Sequence, residues 1–171
     1  VLDAGGITPD VVVEGDSLPN IAYYLAAARD SNEVLLNYEV DYIAKHPTVA
    51  QPADFELSDE DYAEFKKRVL DSGFTYDRTS EKFLKDLEQL TRFEGYYEFE
   101  ALKKKLSNNV AKDLEYNKQA IKNIINNDLM AAYYFQRGAT QNSLRHDKQM
   151  DEAMKLITDG ERYAKILNPK K

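Results

Sequence analysis

The chain has 171 residues, enough for one compact domain with a real core, and its 43% hydrophobic and 31% charged composition is that of a globular protein rather than a disordered one. A formal charge of −7 repels phosphate backbones and argues against nucleic acid as a partner. The absence of cysteine excludes disulfides, thiolate catalysis and cysteine-ligated metals, and no apolar run approaches the roughly 18–20 residues that span a bilayer.

The first residues, Val-Leu-Asp-Ala-Gly-Gly, lack Met, a basic region and an apolar leader, which reads as an engineered or proteolytic boundary. Gly5-Gly6 and Pro9-Asp10 punctuate turns. Val11, Val12 and Val13 are β-branched and favour a strand. A continuous apolar triplet suits a strand covered on both faces, yet nothing later in the chain supplies a sheet. The expectation is an orphan edge strand with its partners upstream. An open edge of this kind invites dimerisation by strand addition, or disorder of the first dozen residues.

From Ser17 onward the periodicity is helical. Ser17 is the expected N-cap of a first helix, with Pro19 in its first turn and Ile21, Tyr24, Leu25 and Ala28 on one face. A second helix spans about 32–45 and stops at His46-Pro47, because the residue before proline avoids helical angles. After a linker, Ser58 caps a third helix whose acids Asp59, Glu60 and Asp61 sit in the positive first turn. Tyr62, Phe65, Val69 and Leu70 form its apolar stripe, and Gly73 is its C-cap. Thr79 or Ser80 starts another helix with Phe83, Leu84, Leu87 and Leu90 inward. Residues 96–127 read as one long helix, weakened at Ser107-Asn108-Asn109. Residues 129–135 continue it, Gly138 closes it, and a last helix at 147–157 is interrupted at Asp159-Gly160 before a final turn to Leu167. The fold class is therefore mainly α: one strand followed by roughly seven helices, mostly antiparallel, in a multi-helix bundle. The expected division is residues 1–16 as the tail of a sheet-bearing core and 17–171 as a helical domain.

Charge is uneven. Residues 1–85 carry 8 basic and 17 acidic side chains, residues 86–171 carry 15 and 13, so the acid excess lies in the first half. Two differently solvated surfaces account for this; two different neighbours are the sharper alternative.

No residue announces chemistry. His46 and His146 are the only histidines and form no metal-binding pair, and the acidic run at Asp59 lacks the alternation and glycine of a calcium loop. There is no G-x-S-x-G elbow and no phosphate loop. No catalytic, cofactor-binding or metal residue is assigned, and no cofactor is expected. Twelve tyrosines stand out, paired at Tyr23-Tyr24, Tyr96-Tyr97 and Tyr133-Tyr134. Neighbours on a helix point about 100° apart, so one ring of each pair is expected in the core and the other at its edge, its hydroxyl reaching water.

Gly5, Gly6, Ile7, Pro9 and Asp10, followed by Val11, Val12 and Val13, resemble the segment near the end of the catalytic core in carboxy-terminal processing (tail-specific) serine peptidases. The stretches from Phe55 to Gly73-Phe74-Thr75-Tyr76, from Leu129 to Gly138 and from Asp147 to Tyr163 resemble the helical tail of Bacteroidetes-type members. The resemblance implies a parent serine endopeptidase of the cell envelope or periplasm that uses a Ser–Lys dyad. The family's Ser-Ala-Ser and Gly-Lys-Gly segments have no counterpart here. Lys85 and Gln89 reproduce only a spacing, with Leu84 and Asp86 in place of the glycines. This stretch should thus be inactive alone. Expected partners are protein: its own peptidase core, a second copy or an adaptor. The alternative is a stand-alone helical interaction module with the tyrosine pairs as docking surface. An unrecognised hydrolase or metal enzyme ranks behind both.

Overall fold

A computed structural model describes residues 9–15, 17–27, 33–76, 82–83, 86–87, 89, 101 and 109–167. Among them stand seven α-helices: α1 (Asn20–Ala27), α2 (Val34–Lys45), α3 (Asp59–Asp71), α4 (Val110–Tyr116), α5 (Lys118–Ser143), α6 (Lys148–Thr158) and α7 (Gly160–Leu167), with a 3₁₀ turn at Leu144–His146 between α5 and α6. The chain is mainly helical, as its periodicity requires. The expected strand does not appear among the described residues: Val11, Val12 and Val13 have no ladder partner, and Val12 is exposed. A lone extended segment gains nothing from its backbone groups until another strand pairs with them. The contacts gather into two compact units, Leu18–Asn142 and Val1–Ser17 with Ser143–Lys171.

In the larger unit the apolar stripes converge on one core. Ile21, Ala22 and Leu25 enter from α1, Leu35, Tyr38 and Tyr42 from α2, Tyr62, Phe65 and Val69 from α3, Leu114 from α4, and Ile121, Ile125, Leu129 and Met130 from α5. These are the one-face spacings of an amphipathic helix. Ser58 caps α3, accepting from the Asp61 amide at 3.0 Å, and Gly73 takes the left-handed φ of 69° that ends it. Leu70, counted in the stripe, points to solvent, as does Phe83, which was expected inward. Leu84 and Leu90 lie outside the described residues. α1 starts later than expected. The Pro19 carbonyl accepts its first bond, from Tyr23, so Ser17 stands two residues ahead of the cap.

Two asparagines break what the periodicity joins. Asn109 accepts from the Lys112 amide at 3.1 Å and caps α4. The Asn117 amide donates to the Asp113 carbonyl at 2.8 Å, and the Asn117 carbonyl opens α5. Short amide side chains compete for backbone groups and so favour helix ends. Further on, α5 kinks at Phe135, whose φ of 60° and ψ of −167° no helix contains. A non-glycine residue held there stores about 1–3 kcal/mol of strain. Gly138 does not close the helix. It is buried within α5, where an added Cβ would lie 2.3 Å from the Tyr134 Cβ and 2.9 Å from the Met130 carbonyl.

In the smaller unit Asp147 caps α6 through the Gln149 and Met150 amides (2.8 and 3.1 Å). Asp159-Gly160 is indeed an interruption: Asp159 ends α6 and accepts from the Arg162 amide at 3.0 Å to start α7. Glu152 binds Arg162 at 2.7 Å and ties the two helices into a hairpin.

Candidate functional site

Three arrangements go beyond core packing. The first is the face that α5 turns toward residues 46–59. Asn126 accepts from the Leu57 amide at 2.9 Å, and Asn142 donates to the Pro52 and Phe55 carbonyls at 2.8 and 2.9 Å. The Tyr133 hydroxyl donates to the His46 carbonyl, and Tyr134 to those of Val49 and Ala50 at 3.3 Å. Gly138 lets Pro52 approach, its Cγ 3.4 Å from where a Cβ would stand. Buried Lys122 reaches Asp59 at 3.2 Å and Glu56 at 3.7 Å. A linker without helix or strand is thereby supplied with partners for its backbone, which is what lets it lie against the bundle.

The tyrosines take part in the same work. Tyr62 donates to the Leu114 carbonyl at 2.7 Å and Tyr38 to the Asp61 carbonyl at 3.0 Å, while Tyr76 reaches the Asp113 carboxylate at 2.9 Å. Burial holds Tyr38 and Tyr62 well above the ordinary phenol range and pushes Tyr42 up to about 12, so all three stay neutral. The pairs behave unequally. Tyr23 is exposed beside half-buried Tyr24, as expected. Tyr133 and Tyr134 are both half-buried with their hydroxyls on carbonyls rather than in water. Tyr96 and Tyr97 lie outside the described residues.

The second arrangement is a carboxyl pair. Glu39 on α2 is only 9% exposed, and one of its oxygens has no partner. Burial, then the charge of Asp128 on α5, push its pKa up to about 8, and its protonated form donates to the Asp128 carboxylate. Burial raises Asp128 as well, against the opposing hydrogen bonds from Asn127 and Glu39. Beside Asp128, Glu39 keeps its proton at neutral pH instead of ionising. A nucleophile set against a general base is not formed here, and no group of three or more metal-ligating side chains stands among the described residues.

The third is a groove of about 330 Å³ in the smaller unit, with Pro9, Val11, Val12 and Val13 on one wall and Ala153 and Leu156 of α6 on the other.

The residues singled out from sequence fall as follows. Gly5, Gly6 and Ile7 lie outside the described residues, Pro9 lines the groove and Asp10 is exposed. His46 caps α2, its ring stacked on Tyr42 and its Nδ1 2.9 Å from the Tyr42 carbonyl; His146 is exposed in the 3₁₀ turn. Lys85 lies outside the described residues and Gln89 is an exposed helical residue. Asp59, read as dipole compensation, also binds Lys118 at 3.0 Å, and its carboxyl is held below the usual range by Lys118 and then Lys122. Part of the acid excess of the first half is thus answered by lysines of the second. Sequence reading missed Asn126, Asn142 and Glu39. The available signal was a polar residue at a core-facing helical position.

A family model described as "Probable PDZ-protease, C-terminal helical domain" matches residues 21–157. No curated protein and no solved structure matches the chain.

Proposed function

The chain belongs to the family of C-terminal helical domains of probable PDZ-proteases, and from that premise we propose that it is the non-catalytic helical domain of a serine-type, carboxy-terminal processing endopeptidase of the periplasm or cell envelope. Its task is to pack on the peptidase core and shape the access of protein substrates to the active site. The family match over residues 21–157 carries this reading. The Gly5-Gly6-Ile7 and Pro9-Asp10 pattern supports the serine, tail-specific assignment, and the lack of Ser-Ala-Ser and Gly-Lys-Gly segments in the sequence supports a non-catalytic role. Asn126, Tyr133, Tyr134 and Asn142 of α5 are engaged in holding the backbone of residues 46–57, which favours a scaffold over a reaction centre.

The test compares the whole protease with a variant lacking residues 18–142, assayed on a short reporter peptide and on a protein substrate with a free C-terminus. Peptide cleavage should persist in the variant while protein processing changes. Serine-peptidase turnover by this chain alone would sink the reading, as would unchanged protein processing by the variant.

A further inference from the structure

α6 and α7 bury none of their residues. Met150, Met154 and Ile157, spaced four and three apart, run along one side of α6, and Tyr163 and Leu167 along one side of α7; all five are exposed, Met154 by 54% and Ile157 by 67%. Spacings of three and four place such residues in a row. Contiguous uncovered apolar rows on a preformed hairpin are docking faces.

The same unit indicates what covers them. The neighbouring side of α6, around Ala153 and Leu156, lines one groove together with Pro9, Val11, Val12 and Val13. Those residues precede the matched family region, which begins at residue 21. In a C-terminal domain, the polypeptide on that side is the protease. At 100° per residue the row of Met150, Met154 and Ile157 lies about a quarter of a turn round α6 from that wall. We propose that the α6–α7 hairpin docks on the protease portion of the same polypeptide. The Met150, Met154 and Ile157 row then forms an apolar seam continuous with the groove that Val11, Val12 and Val13 line. Glu152 is engaged within the hairpin, with Arg162 at 2.7 Å and Lys155 at 3.6 Å, and the row itself consists of apolar side chains. Unbranched methionines adapt well to a partner surface. The inference rests on the reading of the chain as a protease domain and names the surface through which it packs.

These 171 residues contain no cysteine, so in a whole protease cleared of any cysteine elsewhere single thiols report on single positions. Met154→Cys and, as a second variant, Ile157→Cys are placed in the whole protease, with Tyr116→Cys on α4, 91% exposed, as the open reference. Labelling at Met154→Cys and Ile157→Cys should be slower than at Tyr116→Cys by about tenfold or more, independent of protein concentration. Equal rates overturn the proposal, because the row is then open. Protection lost on dilution, in step with dissociation seen by sedimentation, also overturns it and assigns the row to a second copy. Neither result touches the cleavage comparison that tests the domain's role, so the two failures are distinguishable.

Discussion

The two compact units treat apolar surface in opposite ways. Among the described residues of Leu18–Asn142 the apolar stripes of five helices meet and seventeen hydrophobic side chains are buried together. In the unit formed by Val1–Ser17 and Ser143–Lys171, the helices are as amphipathic but no helical residue is buried. The first closes upon itself. The second displays what the first conceals. Stability is therefore written on the first unit, and the docking proposed above on the second, so substitutions should separate them.

The largest effect should come from the closed core. Phe65→Ala removes a fully buried ring between Tyr38 and Tyr62 and is expected to lower unfolding stability by about 3–5 kcal/mol, read from urea denaturation. A loss under 1 kcal/mol would show that the core is loose and weaken the contrast.

The carboxyl pair predicts a pH dependence confined to the same unit. Glu39 binds its proton more tightly folded than unfolded, so its contribution falls as pH rises from the ordinary carboxylate range to about 8 and is level beyond. Unfolding free energies at pH 5, 7 and 9 should decline by an amount on the order of 2–4 kcal/mol in total for an isolated acid, less for one coupled to Asp128. Glu39→Gln keeps the shape and a donor, and should remove most of that slope. An unaltered slope would place the titrating group elsewhere.

Gly138→Ala should cost about 1–3 kcal/mol, because the new methyl group meets Tyr134 and the helix carbonyl inside a packed face. In an ordinary helix interior the same change stabilises by about 0.5–1 kcal/mol, so the sign of the effect is decisive. At the other end of the scale, Ile157→Lys should change the chain's own stability by less than about 0.5 kcal/mol. A large loss would mean that the exposed row is part of a core after all.

Much of this architecture is legible in sequence. The α3 cap at Ser58, the φ of 69° at Gly73, the stop at His46-Pro47 and the Asp159-Gly160 break follow from local chemistry, which acts over one turn of chain. What escaped depends on remote partners. Gly138 looks like a terminator until Pro52 and Tyr134 are seen against it. Asn126 and Asn142 look like blemishes in an apolar helix until the linker carbonyls and amide they serve are in place. Glu39 reads as an ordinary surface acid until Asp128 faces it.

The sequence by itself determined the helical class, most helix ends and the family, because periodicity, caps and motif residues are properties of neighbours along the chain. Only the tertiary structure decided which amphipathic faces are consumed. A helix with an apolar stripe states that something must cover it, and the identity of the cover depends on groups far away in sequence. Among the described residues, five helices of the larger unit find their cover in one another, while the row on α6 does not find it within its own unit.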